Sequence, residues 1–257
     1  MLIWTLSSMS RKGLNTSLHP LLKESKVYNR ARLQVIAFLG PVGVGKSTQM
    51  RLLAYRLRSK GLKVKTTFLL KGHLFSHFFE IILAKIFCKS RGEKASAMRT
   101  LLDKNPSAFK KIFKLWLIVD TITICLKFLV SIYIPIKLGN IVLVEDYIPS
   151  TITHYRYYCQ CLKLPLSSIN FSSKLALTLM SRFSTRIIFQ DVPTEVLKSR
   201  WRAKDLFIER ENYVHHTRRE NLLSLLQKLL SNNLIYIETD NRSVGEVHKL
   251  IMKGIKL

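Results

Sequence analysis

The chain has 257 residues, 47% of them apolar, which is enough to bury the core of one α/β domain. Its 42 Lys and Arg against 16 Asp and Glu give a formal net charge of +26, a field that attracts phosphate groups and anionic surfaces. The basic residues form no long block and no RNA-binding motif accompanies them, so nucleic acid is not a favoured partner. The four cysteines lack the spacing of a zinc site and are expected to be reduced thiols of a cytoplasmic protein.

The first 30 residues are polar and basic, with a break at Pro20. Their apolar start before Arg11 is too short for a signal peptide. We therefore predict an N-terminal extension, residues 1–30, followed by a single domain over residues 31–257.

The first predicted strand is the apolar run Leu33–Leu39, which ends at a glycine. The following Gly40–Ser47 has the sequence GPVGVGKS, and helical periodicity begins at Ser47. Gly61 ends that helix, and Leu62–Leu70 is the next predicted strand. The order is therefore strand, glycine-rich loop, helix, strand.

Residues 71–138 are rich in helical pattern, and Asn105-Pro106 is expected to start a helix. The segment Trp116–Ile136 has the length of a membrane span, but it contains Asp120 and Lys127. Each charge costs about 2.5–3.5 kcal/mol at the centre of a bilayer on insertion scales. We therefore predict a buried core helix and no integral membrane span.

Three further apolar runs predict strands at Ile141–Val144, Arg186–Gln190 and Leu234–Ile237, and Val244–Ile255 predicts a terminal helix. Strands that alternate with helices imply an α/β fold with a mostly parallel sheet of about five strands flanked by helices. The ligand site of such a sheet lies at the carboxyl ends of its strands.

Gly40, Gly45, Lys46 and Ser47 match the phosphate-binding loop G-x-x-x-x-G-K-[ST]. In such a loop the backbone N–H groups surround the phosphates, the lysine reaches the β- and γ-phosphates, and the hydroxyl reaches Mg²⁺. The sequence therefore predicts that ATP and Mg²⁺ bind here. The predicted nucleotide-binding residues are Gly40, Pro41, Val42, Gly43, Val44, Gly45, Lys46, Ser47 and Thr48.

Glu145 and Asp146 directly follow the strand Ile141–Val144, at the edge where ligands bind. A carboxylate at this position can organise the metal or accept the proton of an attacking hydroxyl. We predict that Ser47 and Glu145 are metal ligands, and that Lys46, Glu145 and Asp146 are catalytic.

Three segments together resemble the thymidylate kinase family. They are FLGPVGVGKSTQ with the following helix and strand, GNIVLVEDYIPSTITHYRYY, and RIIFQDVPTEVLKSRWRAKD with the residues up to Leu222. The resemblance implies a P-loop kinase fold with a helical lid, in which Arg200 and Arg202 would close over the transferred phosphoryl group. It also implies conversion of dTMP to dTDP with ATP in the cytoplasm, and it allows a homodimer.

The chain departs from the family at two places. Glu145-Asp146-Tyr147 stands where the family has Asp-Arg-Tyr, and Phe68–His73 lacks the family's Arg-Glu-Pro-Gly segment. Both changes remove an arginine that would hold the acceptor's phosphate. Lys71 and Arg156 are the cations that could substitute, although lysine lacks the bidentate fork of arginine.

Three alternatives follow from these departures and from the charge. The acceptor could be a nucleoside or another unphosphorylated small molecule. The chain could instead be a non-catalytic ATP-binding protein whose basic surface binds nucleic acid or an acidic membrane. A membrane-anchored ATPase would require the segment Trp116–Ile136 to span the bilayer.

Overall fold

The computed structural model describes residues 33–70, 75–88, 97–203, 219–226 and 233–255. The predicted N-terminal extension and the boundary at residue 30 lie outside these ranges, as do Lys71 and most of the predicted lid. The division into an extension and a domain therefore stays a prediction.

Within the described residues, a five-stranded parallel sheet has the order β2-β3-β1-β4-β5. The strands are β1 (Val35–Leu39), β2 (Val64–Phe68), β3 (Ile141–Glu145), β4 (Thr185–Asp191) and β5 (Leu234–Glu238). Each overlaps a predicted strand, so the expected parallel α/β sheet is confirmed. The observed β1 and β2 are shorter than predicted, and β3, β4 and β5 each extend to an acidic residue.

The helices follow the strands and flank the sheet. Before β3 they are α1 (Lys46–Ser59), α2 (Phe75–Cys88), α3 (Ala97–Lys104), α4 (Pro106–Phe128) and α5 (Ile134–Lys137), with a π-helical turn, Leu129–Tyr133, between the last two. After β3 they are α6 (Ile148–Cys161), α7 (Asn170–Ser181), α8 (Thr194–Arg202), α9 (219–226) and α10 (Val244–Ile255).

The central strands β1, β3 and β4 are buried on both faces, which is why their sequences read as continuous apolar runs. One face of the sheet packs on α1 and α10, with Phe38 and Ile251 in its core. The other face packs on α4, α6 and α7, with Trp116 and Tyr155 in its core. The parallel pairing of the strands brings their carboxyl ends to one edge of the sheet.

The long helix α4 begins as predicted. Asn105 caps it, with Oδ1 accepting a hydrogen bond from the Ala108 N–H at 3.1 Å, and Pro106 fills the first helical position, where its missing N–H costs nothing. The buried face of α4 carries Phe109, Phe113 and Trp116, whose rings pack edge to face or tilted. On this face, α4 is the buried core helix that the sequence predicted.

The prediction that α4 is buried does not hold for its opposite face. This face is apolar but exposed. Leu115, Ile118 and Ile122 are each more than half exposed. By length and composition the run Pro106–Lys137 could cross a membrane, although core helices of soluble proteins pass the same test, and 39% of its apolar window is buried. The apolar pattern therefore reflects one packed face and one open face.

Asp120 explains how an acid fits into this apolar helix. Its side chain is fully buried and accepts hydrogen bonds from Ser76 Oγ at 2.6 Å and from Tyr155 OH at 2.7 Å. Because a buried carboxylate is costly unless it is hydrogen-bonded, these donors make the position tolerable. They also join α2, α4 and α6.

Candidate active site

The loop between β1 and α1 requires glycine at two positions. Gly40 has φ 136°, and a Cβ atom on it would lie 2.0 Å from the carbonyl oxygen of Gln190 on β4. Gly43 has φ 87°, and a Cβ atom there would lie 3.1 Å from Trp201 Nε1. The loop can therefore fold this tightly against β4 and α8 only with glycine at both places.

Lys46 lies at the start of α1 and folds back over the loop. Its Nζ donates hydrogen bonds to the carbonyl oxygens of Gly40 at 2.9 Å and Pro41 at 3.1 Å, and its side chain is buried. A buried ammonium group beside a glycine-rich loop at the N-terminus of a helix forms a site suited to phosphate oxygens. This arrangement supports the predicted role of Lys46 in nucleotide binding.

Ser47 and Glu145 meet although 98 positions separate them in the chain. Phe38 pairs with Glu145 across β1 and β3, which brings the end of β3 beside the glycine-rich loop. The Ser47 hydroxyl lies 2.7 Å from each carboxylate oxygen of Glu145 and donates to this group. A hydroxyl and a carboxylate are hard oxygen donors of the kind that Mg²⁺ prefers, so these residues fit the predicted ion.

Asp146 follows Glu145 in the left-handed region, with φ 48°, a conformation that Asp tolerates better than most residues. Its backbone N–H donates to the Phe38 carbonyl at 3.0 Å, and its Oδ1 accepts from Ser150 Oγ at 3.3 Å. Burial raises the pKa of the Asp146 carboxyl, the Lys46 ammonium opposes that rise, and Glu145 adds to it. The carboxylate therefore lies within the field of the loop lysine.

Two pockets lie on either side of the loop. The first, of about 140 Å³, lies towards α6, and its described lining consists of Gly40, Pro41, Val42, Lys46, Leu70, Asp146, Ser150, Thr153, His154, Phe189, Arg219 and Leu222. The second, of about 220 Å³, lies towards α10, and its described lining consists of Gly43, Val44, Gly45, Thr48, Gln49, Gln190, Arg200, Thr239, Arg242, Val244 and Val247. We call them the α6 pocket and the α10 pocket. Residues of the glycine-rich loop line both pockets.

The two predicted lid arginines occupy different places. Arg200 on α8 lines the α10 pocket, beside the glycines of the loop. Arg202 lies at the end of α8, is exposed, and is not among the described residues that line either pocket. Of the two arginines, Arg200 is therefore the one that lines a described pocket beside the loop.

Trp201 contacts the loop directly, a feature that sequence analysis assigned to no specific role. Its Nε1 donates to the Val42 carbonyl oxygen at 2.8 Å, and its ring packs with Val44, Val192 and Leu197 in a small apolar cluster. Trp201 therefore fixes the distance between α8 and the loop.

Asp191, Arg219 and Tyr236 form a second cluster that sequence analysis missed. Arg219 Nε donates to Asp191 Oδ1 at 2.6 Å, Arg219 Nη2 donates to Oδ2, and Tyr236 OH donates to Oδ2 at 2.8 Å. Hydrogen bonding to Asp191 raises the pKa of Arg219, and desolvation followed by the same carboxylate raises the pKa of Tyr236 to about 12. The ion pair of Arg219 with Asp191 connects α9 to the end of β4, beside the α6 pocket.

No family model matches the chain, and no curated protein matches it in sequence. Among solved structures, the chain is similar to the crystal structure of thymidylate kinase from Ehrlichia chaffeensis, with 18% sequence identity and a TM-score of 0.50. The match covers 87% of this chain and 98% of that chain. The chain therefore has the fold of that kinase with a strongly divergent sequence.

Proposed function

We propose that this chain, which has the thymidylate kinase fold, transfers the γ-phosphoryl group of ATP to a small acceptor of the nucleoside or nucleotide class. The observation that carries the proposal is the loop itself, where the buried Lys46 ammonium is bonded to two carbonyl oxygens of the loop and Ser47 is bonded to Glu145. The α6 and α10 pockets on its two sides give one place for each reactant.

Each described residue has a defined task in this proposal. Lys46 holds the β- and γ-phosphates, and the loop amides orient them. Ser47 and Glu145 would hold Mg²⁺, which when bound neutralises charge on the phosphates. Arg200 lines the α10 pocket, where its guanidinium can contact the nucleotide.

Two pockets on opposite sides of the loop would direct the γ-phosphate of ATP from one pocket towards the other. We assign the α10 pocket to the adenosine part of ATP and the α6 pocket to the acceptor, so that the γ-phosphate points towards Asp146. Catalysis then consists mainly of positioning and electrostatic stabilisation, and exclusion of water would limit hydrolysis of ATP.

The acceptor that the sequence resemblance implies is dTMP, with dTDP as the product, and the cytoplasm would supply both substrates. Direct ADP formation from Mg-ATP, measured with dTMP, other nucleoside monophosphates and nucleosides, tests the proposal. Acceptor-stimulated ADP formation that disappears in Lys46→Ala supports it. ATP binding with no stimulation by any acceptor would instead favour a nucleotide-gated protein that acts through its basic surface.

The resemblance allows a homodimer, and the open face of α4 is a candidate interface for it. This face carries contiguous exposed apolar residues and borders an apolar groove of about 720 Å³ between α4 and α7. A two-fold dimer needs one self-complementary patch on each copy, and a contiguous apolar face can pack against itself. We propose that a second copy covers Leu115, Ile118, Ile122 and Leu126 on α4, together with Leu129 and Val130 on the adjoining π-helical turn.

A further inference from the structure

The helices α1 and α10 lie next to each other on the side of the sheet opposite α4. Leu53 of α1 and Val247 of α10 belong to one buried cluster against the sheet. Gln49 Nε2 also donates to the Val244 carbonyl oxygen at 2.8 Å, which joins the two helices directly. Because both helices bury the sides that carry these apolar residues, their other sides face solvent together.

The outward sides of the two helices carry exposed cations. These are Arg51, Arg56, Arg58 and Lys60, on α1 and at its end, and Lys249 and Lys253 on α10. We call this set the α1–α10 surface. The sequence of α1 contains no acidic residue, and that of α10 contains one, Glu246, which accepts hydrogen bonds from Ser243. Six cations therefore outnumber one carboxylate on this surface.

Arg51 and Arg56 have no partner in the described part of the protein. Their side chains form neither a hydrogen bond nor an ion pair with any residue there. The sequence before α1 offers little compensation, since Glu24 is the only acidic residue between positions 1 and 79. A concentrated positive charge of this kind attracts counterions, and a polyanion can bind in their place.

One aromatic ring lies among the arginines of α1. Tyr55 is 76% exposed, and it stands four residues after Arg51 and three before Arg58, so these side chains are neighbours on the helix. Arg58 Nη2 donates to the Val64 carbonyl oxygen at 3.1 Å, which fixes one guanidinium at the border of the surface. A ring on which a base can stack, flanked by guanidinium groups that bind phosphates, suits a single-stranded nucleic acid.

The same surface offers little to a lipid bilayer. Apart from Val244 at the border of the α10 pocket, the exposed large aliphatic side chains of α1 and α10 are Leu52 and Leu250, which are 37% and 39% exposed. Helices that bind in the plane of a membrane insert a whole face of large apolar side chains. The exposed apolar face of this protein is on α4, on the other side of the sheet. Charge and a single exposed ring therefore favour a nucleic acid here.

We propose that the α1–α10 surface binds the sugar–phosphate backbone of a single-stranded nucleic acid, with a base stacked on Tyr55. The sequence alone did not favour this partner because its cations form no contiguous block. The fold brings them together from two helices that the bond from Gln49 to Val244 joins across 195 positions. The inference does not depend on the kinase function, since Arg51, Tyr55 and Arg56 are not among the described residues that line either nucleotide pocket.

The test is a fluorescence anisotropy titration of the full chain with labelled oligo(dT) and oligo(U) of about 20 nucleotides, at several salt concentrations. With about five phosphate contacts, the logarithm of the association constant should fall against log salt with a slope of about −3.5. Arg51→Gln with Arg56→Gln removes two contacts, so the slope should change to about −2 and binding should weaken about tenfold. Tyr55→Ala should weaken binding about tenfold at an unchanged slope, because stacking releases no counterions.

Binding of either oligonucleotide with these losses supports the proposal, and a preference between them identifies DNA or RNA as the partner. Lys111→Gln with Lys174→Gln is the matched control, because it removes two exposed cations from α4 and α7 on the other side of the sheet. It should bind as wild type does, and thermal melts identify any variant that fails to fold.

Equal losses in the two double variants would assign the binding to net charge and overturn the proposal. Absence of binding to both oligonucleotides would also overturn it, and cosedimentation with phosphatidylserine vesicles through Arg51 and Arg56 would then assign the surface to a membrane. Equally tight binding of a duplex, unaffected by Tyr55→Ala, would contradict the assignment to a single strand.

Discussion

The hydroxyl of Ser47 lies 2.7 Å from both carboxylate oxygens of Glu145, so the first turn of α1 is bonded to the last residue of β3. A nucleotide loop and a strand-end carboxylate are thereby joined at the sheet edge where α/β proteins bind their ligands. The contact is the strongest geometric support for a Mg²⁺ site in the described residues.

Glu145→Gln should weaken the affinity for Mg²⁺ without unfolding the chain, since the amide keeps one oxygen acceptor for Ser47 and loses only the charge. We expect the Mg²⁺ concentration for half-maximal activity to rise about tenfold, in line with the loss of a charged ligand. A magnesium titration of ADP formation measures this. Glu195→Gln, on an exposed part of α8, is the control, and an unchanged titration in Glu145→Gln would remove Glu145 from the metal site.

Trp201 should position the loop through its N–H group as well as through its ring. Trp201→Phe keeps an aromatic ring but leaves the Val42 carbonyl without its donor, a loss of about 1 kcal/mol, or roughly fivefold in ATP affinity. Trp201→Ala also opens a cavity and should destabilise the fold by about 3–5 kcal/mol. Calorimetric ATP binding and thermal melts separate the two effects. Equal ATP affinity of wild type and Trp201→Phe would show that the contact is irrelevant to binding.

The pair between Arg219 and Asp191 should stabilise the fold at the border of the α6 pocket. Arg219→Gln removes the charged partner of the buried Asp191 carboxylate and leaves it the hydrogen bond from Tyr236 OH, so we expect a loss of about 3 kcal/mol in the free energy of unfolding. Urea unfolding measures this loss. The double variant Asp191→Asn with Arg219→Gln should lose less than the sum of the single losses, whereas strict additivity would argue against a coupled pair.

The open face of α4 should control the oligomeric state. Ile118→Glu with Ile122→Glu places two charges in the proposed interface, so the variant should sediment at 29.8 kDa and the wild type at about twice that mass. Tyr55→Glu, which changes an exposed residue on α1, is the control and should remain dimeric. A monomeric wild type would contradict the dimer, and cosedimentation with anionic vesicles would then identify a membrane as the partner of this face.

The sequence predicted the features that arise from local pattern. Buried parallel strands require continuous apolar runs, so β1, β3 and β4 could be located before the structure was known. The phosphate loop is a contiguous motif, and the position of Glu145 followed from its place at the end of a strand. In each case one short segment contains the information.

The remaining features depend on contacts between segments that are far apart in the chain. Such contacts cannot be identified from a single sequence. The bond from Trp201 to Val42 spans 159 positions, and the pair of Arg219 with Asp191 spans 28. Arg200 and Arg202 looked equivalent because both lie on α8, but they are two residues apart and therefore point in different directions on a helix. The open face of α4 was missed because apolar periodicity does not distinguish a buried face from an uncovered one.

The most direct test of the proposed function is to follow γ-phosphoryl transfer by ³¹P NMR in a mixture of Mg-ATP, the acceptor panel and the full chain, with Lys46→Ala in parallel. The account predicts ADP together with a new phosphorylated acceptor in equal amounts, formed by wild type and at least a hundredfold more slowly by Lys46→Ala. ADP accompanied only by inorganic phosphate, or equal rates in the two proteins, would contradict it.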